Sequence, residues 1–156
     1  MRIIGCDLHA RQQTLAMLDT ATGEVVNQTL AHEGESVREF YSKLPSPVRV
    51  GIEATGSMKW FLLLMEELGI DCQVGHPATI RAAEPRRQKH DRRDAELLLK
   101  LLVENRFPSI WQPSQELLDP SVARQRLAKM FTKSFPAEYR EADHSPSGSS
   151  RRHRSC

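Results

Sequence analysis

Two acidic residues end short apolar segments that are typical of β-strands. Asp7 closes the segment over residues 1–8, and Glu53 closes the segment over residues 48–53. Each acid follows a glycine two positions back, Gly5 or Gly51, and alternation places that glycine on the acid's own face, which leaves space beside the carboxylate. If the two strands are parallel neighbours, both carboxylates lie at the carboxyl edge of the sheet, where open α/β sheets bind ligands.

A second pair of acids begins the strongest helical segment of the chain. Asp91 and Asp94 are three residues apart and share one helix face, which continues through leucines. A purely structural interpretation stays open, because Asp91 could cap the helix and Asp94 could be an acid of the first turn that the helix dipole stabilises. Acids at strand ends, such as Asp7 and Glu53, are also common as surface groups or turn formers.

The combination of all four acids favours a metal site. Four carboxylates at strand ends and on a core-facing helix stripe would repel one another at neutral pH unless a cation lay between them. Hard oxygen ligands in this number suit Mg²⁺ or Mn²⁺. Two such ions would activate a water molecule and hold the leaving oxygen in phosphodiester chemistry. The residues therefore predict a two-metal site.

A basic segment surrounds the second acid pair. Six basic and two acidic residues lie within residues 81–93, which gives a local net charge of +4. The interpretation is either a solvated surface or a series of phosphate contacts for a nucleic acid beside the acids. The basic residues of this segment are Arg81, Arg86, Arg87, Lys89, Arg92 and Arg93.

The elements that would position these residues follow from periodicity and turn signals. Strands are predicted over 1–8, 14–18, 24–30, 48–53 and 71–74, and helices over 33–44, 58–68, 77–83 and 92–104, with a basic loop over 84–90. Ser57 is the expected N-cap of the second helix, and Gly69 is expected to end it. The order predicts an α/β fold with a mixed sheet flanked by helices.

Composition restricts the remaining possibilities. The chain has 156 residues, a formal net charge of +2 and three cysteines. Its longest apolar run, residues 60–65, is too short to cross about 30 Å of hydrocarbon, and the start of the chain lacks the pattern of a signal peptide. An odd number of distant cysteines predicts a reduced, cytoplasmic protein without a zinc site or a disulfide framework.

Three sequence motifs together resemble a known family. The motifs are IGCDLH at 4–9, GIEATG at 51–56 and KHDRRDA at 89–95, and the run RFPSIW at 106–111 follows them. They resemble the N-terminal domain of the DEDD transposases of bacterial insertion sequences, the family numbered one hundred and ten. The resemblance covers roughly residues 1–118.

The resemblance implies an RNase H-like (RuvC-like) fold in which Asp7, Glu53, Asp91 and Asp94 bind divalent metal. Members are similar to Holliday-junction resolvases in this domain. They recombine DNA at element ends, use a structured, guide-type RNA, and are expected to act as homo-oligomers at full length. The resemblance therefore implies a metal-dependent enzyme of DNA transposition, with no membrane partner.

The sequence departs from the family in two places. His90 stands where the family usually has a small hydroxyl residue. The family also continues into a helical segment and a serine-bearing catalytic domain, whereas the likeness here stops near Leu118. We therefore expect a truncated chain with a domain over 1–118 and an unrelated, disordered, Ser-rich basic tail over 119–156, in which no serine inherits the family's nucleophile role.

Two other functions fit parts of the sequence. A chain without the C-terminal half could bind nucleic acid as a remnant that has lost catalysis. The hairpin opening over residues 5–26 also occurs in actin-like ATPases and sugar kinases, but those proteins need a second glycine-rich phosphate loop. The later glycines of the folded part do not cluster, which disfavours nucleotide binding.

Overall fold

The computed structural model describes residues 1–83 and 91–111, with the side chains of Asp91 and Trp111 outside the description. The basic loop predicted over 84–90 and the tail predicted over 119–156 lie outside the described residues. The strands are β1 Arg2–Leu8, β2 Gln12–Asp19, β3 Val25–Ala31, β4 Val48–Glu53, β5 Asp71–Gly75 and β6 Ser109–Trp111. The helices are α1 Ser36–Ser42, α2 Lys59–Glu67, α3 Pro77–Ala83 and α4 Asp91–Val103.

The strands form one mixed sheet in the order β3-β2-β1-β4-β5-β6. β1, β2 and β3 make an antiparallel meander, β4 is parallel to both β1 and β5, and β6 is antiparallel to β5. This arrangement confirms the predicted α/β, RNase H-like fold. The short strand β6 was not predicted from the sequence, because its three residues are defined by their pairing with β5.

Most predicted element boundaries agree with the structure to within a few residues, and the start of α2 shows one correction. Ser57 does not cap this helix: Met58 occupies the N-cap position, and no side-chain cap bond forms within the described residues. The Ser57 backbone N–H instead donates to Thr55 Oγ1 at 3.1 Å, closing a local turn. Gly69 ends the helix as predicted, with φ of 66° and its N–H donating to the Glu66 carbonyl.

The two faces of the sheet are covered differently. One face, called here the α1–α2 face, carries the main core, in which Tyr41 and Phe61 are fully buried against residues such as Ile4 and Ile52. The opposite face, called here the α4 face, packs Ala16 against Ala95 and Leu99 of α4. α3 contributes Ile80 to this second side, where it packs with Leu98 and Leu101. No helix of the described part of the chain is long and apolar enough to span a membrane.

Candidate functional site

The sheet register brings the two strand-end acids next to each other. β1 and β4 pair in parallel with Gly5 opposite Gly51 and Cys6 opposite Ile52, so Asp7 and Glu53 occupy the following position. Their side chains are 14% and 27% exposed. Both therefore lie at the carboxyl edge of the sheet, on the α4 face, as the sequence predicted for parallel neighbours.

The glycines that precede these acids have a different role from the one expected. A Cβ on Gly5 would collide with the Ala95 carbonyl oxygen and the Leu99 nitrogen of α4. At Gly51 it would lie 2.7 Å from Leu102 Cδ1. The space beside each glycine is therefore filled by α4 and its side chains, and is not left open beside the carboxylate. The glycines act by letting the helix approach the sheet.

Contacts with the meander give the direction of α4. Asn27, level with Gly5 across the sheet, donates to Glu96 Oε1, whereas Leu18, level with Ile3, lines a pocket together with Val103, so the helix runs antiparallel to β1. The N-terminus of α4 consequently lies toward the Asp7 end of the strand. Asp94 is half-buried and immediately precedes Ala95, and Asp91 begins the helix one turn further along.

Each strand-end acid has a basic neighbour. His9 Nε2 lies 2.9 Å from Asp7 Oδ2, and Arg81 Nη2 of α3 lies 3.1 Å from Glu53 Oε1. The two carboxylates are adjacent like charges, and the Arg81 guanidinium offsets part of their repulsion. From the sequence, Arg81 was expected only to contact phosphate. Its contact with Glu53 could have been anticipated from the order of elements, because α3 directly follows β5, the parallel neighbour of β4.

The acids suit a divalent metal by their chemistry. Carboxylate oxygens are the hard ligands that Mg²⁺ and Mn²⁺ prefer, and Asp7, Glu53 and Asp94 approach one edge of the sheet from three elements. Within residues 1–83 and 91–111, no group of three or more His, Cys, Asp or Glu side chains is close enough to hold an ion. The features that suit these residues to a metal are therefore their donor chemistry and their shared edge of the sheet. The side chain of Asp91 lies outside that comparison.

The structure describes three of the six basic residues in the basic segment. Arg81 contacts Glu53, Arg92 Nε lies 3.0 Å from Glu96 Oε1 within α4, and Arg93 is exposed. The predicted contributions of Arg86, Arg87 and Lys89 lie outside the described residues. The described guanidinium groups of Arg81 and Arg92 are exposed at the surface and are therefore accessible to a phosphate backbone.

Polar groups on the other face of the sheet are poor candidates for chemistry. Cys6 Sγ lies 3.4 Å from Gln13 Oε1, and both residues are fully buried. Burial strongly raises the pKa values of the Cys6 and Cys72 thiols, and it also raises the pKa of Tyr41. Thiols in this setting stay protonated and unreactive at neutral pH.

Comparison with protein families places the chain in a known family. A family model for DEDD transposases of the IS110 type, described as transposase, matches residues 4–135. The match covers 132 of the 156 residues and includes all ten residues of the predicted site. It also continues past residue 118, where the motif resemblance ends; the domain boundary at 118 stays a prediction. A comparison with curated proteins finds no match.

Proposed function

This chain belongs to the DEDD transposases of the IS110 type, and from that premise we propose that Asp7, Glu53, Asp91 and Asp94 carry out metal-dependent processing of DNA strands. Family membership assigns transposition as the general function and DNA as the general partner. The observation that carries the finer proposal is the placement of Asp7 and Glu53 side by side at the strand ends toward which the N-terminus of α4 points.

The four acids would hold Mg²⁺ or Mn²⁺, most simply as a pair of ions. Such ions activate a water molecule and stabilise the leaving oxygen in phosphodiester cleavage. The chain's own contribution is to orient the carboxylates: Asp7 is held at a strand end beside His9, and Asp94 is held by the packing of Ala95 on Gly5. These contacts limit the motion of the acids before any ligand arrives.

The basic segment would bind the DNA backbone next to the acids. Arg81, Arg92 and Arg93 stand on the two helices that flank this edge, and Arg86, Arg87 and Lys89 lie between them in sequence. Each phosphate contact adds about −0.9 to the slope of log affinity against log salt for duplex DNA. A structured, guide-type RNA and a homo-oligomer also belong to this proposal, on the family resemblance alone.

Metal binding is tested by thermal melting of the whole chain in increasing Mn²⁺. A ligand that binds only the folded state stabilises it by RT ln(1 + [L]/Kd), so the melting temperature should rise with concentration. Asp7→Asn should reduce this rise, because it removes one ligand. Asp71→Asn is the matched control, since Asp71 starts β5 at the opposite edge and pairs with Arg49. Equal responses in both variants would contradict the proposed ligands.

Catalysis is tested separately with branched DNA in the presence of Mn²⁺. Cleavage by the wild-type chain and its loss in Glu53→Gln would support the enzyme. Salt-dependent binding without cleavage would instead identify a nucleic-acid-binding protein that has lost catalysis. That outcome would exclude strand processing by this chain alone.

A further inference from the structure

The contact between Arg81 and Glu53 joins the two halves of the proposed site. Arg81 belongs to the basic segment, whereas Glu53 is one of the four acids, and the two residues are 28 positions apart. The Arg81 side chain is 76% exposed, and that of Glu53 is 27% exposed. One guanidinium group therefore stands between a candidate metal ligand and the solvent through which DNA would approach.

The position of Arg81 is fixed by the packing of α3. Ile80, its neighbour, is 3% exposed, and its Cδ1 atom lies 2.8 Å from where a Cβ on Gly75 would stand. Gly75 is the register partner of Glu53 across β4 and β5. Because α3 is anchored on the strand beside Glu53, Arg81 lies within reach of that carboxylate.

We infer that Arg81 is a positioning residue that exchanges Glu53 for a DNA phosphate, so that metal binding and DNA binding favour each other. The inference rests on the proposed function, because it takes Glu53 as a metal ligand. While Arg81 is paired with Glu53, a metal must compete with the guanidinium for the carboxylate. Once a phosphate takes the guanidinium, Glu53 is released for the metal. By linkage the effect is reciprocal: metal bound to Glu53 leaves Arg81 available for phosphate.

The chemistry of arginine suits this exchange. The guanidinium group stays charged at any physiological pH, and it binds carboxylates and phosphates with the same planar set of donors. An exposed ion pair is weak enough to be broken by a competing ligand. Arg92 cannot serve in the same way, because it pairs with Glu96 inside its own helix, and Glu96 is not among the proposed ligands.

The first experiment measures DNA binding without metal, using the whole chain, a fluorescent branched duplex, EDTA and low salt. Glu53→Gln should raise the affinity about two- to fivefold, the range of a broken surface ion pair, because Arg81 is then available to phosphate. In the Arg81→Ala background the same substitution should give little gain. An equal gain in both backgrounds would show a general charge effect and would overturn the exchange.

A second ion pair in the chain provides the matched control. Arg106 Nη1 lies 3.0 Å from Glu104 Oε2, and both residues follow α4, at the end of that helix opposite to Asp91 and Asp94. Glu104→Gln should leave metal-free DNA affinity nearly unchanged. A gain as large as that of Glu53→Gln would contradict a specific role for Arg81.

The second experiment measures Mn²⁺ affinity without DNA by titration calorimetry. Arg81→Ala should lower the Kd about two- to fivefold, Arg81→Lys should stay close to wild type, and Arg106→Ala should change nothing. Unchanged affinity in Arg81→Ala would overturn the exchange while the metal site stands. Failure of the wild-type chain to bind Mn²⁺ would overturn the metal site and the metal half of the exchange, and the metal-free experiment would still decide the phosphate half.

Discussion

The two faces of the sheet use opposite kinds of residue to solve the same packing problem. The α1–α2 face buries large side chains, including Tyr41 and Phe61, whose rings meet edge to face with centroids 5.5 Å apart. The α4 face instead has Gly5 and Gly51 beneath the helix. Large side chains fill the space between a helix and the sheet and keep the two backbones apart, whereas glycines let a helix backbone approach a strand closely. The second arrangement is the one that brings acids from a helix and two strands to one edge.

Removing a large side chain from the α1–α2 face should have the largest effect. Phe61 is fully buried, and Phe61→Ala should lower the free energy of unfolding by about 3–5 kcal/mol, because it leaves a cavity. Chemical denaturation monitored by circular dichroism measures this loss. Phe61→Leu, which fills part of the space, should cost clearly less. If both variants unfold like the wild type, the α1–α2 face does not carry the main core.

Adding a side chain to the α4 face should come next. Gly5→Ala should cost about 3 kcal/mol, near the upper end for overpacking, because the added Cβ meets the backbone of α4. Gly51→Ala should cost less, since it meets the movable side chain of Leu102. The same denaturation experiment ranks the two. A smaller loss for Gly5→Ala than for Gly51→Ala would contradict the close approach of the helix backbone.

The smallest effect per residue should appear in alkaline solution, on the α1–α2 face alone. The folded-state pKa of Cys6 lies above its ordinary value of 9.0, so the folded state keeps a proton that the unfolded state loses. The stabilisation from the protonated thiol is therefore fully present below about pH 9. Above that pH the free energy of unfolding falls by about 1.4 kcal/mol per pH unit for each such thiol. Cys72 adds to the effect for the same reason.

Unfolding measured between pH 8 and pH 10 in wild type and in Cys6→Ala checks this prediction. The variant should lose less stability over that interval, since one proton-binding difference is removed. Parallel curves for the two proteins would show that the buried thiol does not titrate on unfolding. The strand-end acids on the α4 face should play no part in this alkaline change.

Local patterns were sufficient for much of the fold. β4 was predicted with its exact bounds, because Val48, Val50 and Ile52 occupy every second position of a segment that follows two prolines and precedes a glycine-containing turn. α3 was predicted exactly because Pro77 is favoured at the first position of a helix. Ser57 failed as a cap because its Oγ lies 3.1 Å from Thr55 Oγ1 and pairs with that hydroxyl, a competition that composition does not reveal.

The sequence by itself determined the types of the site residues and their places at the ends of elements. Asp7 and Glu53 end strands, and Asp94 lies in the first turn of a helix, because local periodicity defines those elements. Only the tertiary structure decided that β1 and β4 are adjacent, that Gly5 receives α4, and that Arg81 contacts Glu53. These contacts join residues 28 or more positions apart, and they depend on which surfaces pack together. No local pattern of residues encodes that choice, because it is made by the free energy of the whole fold.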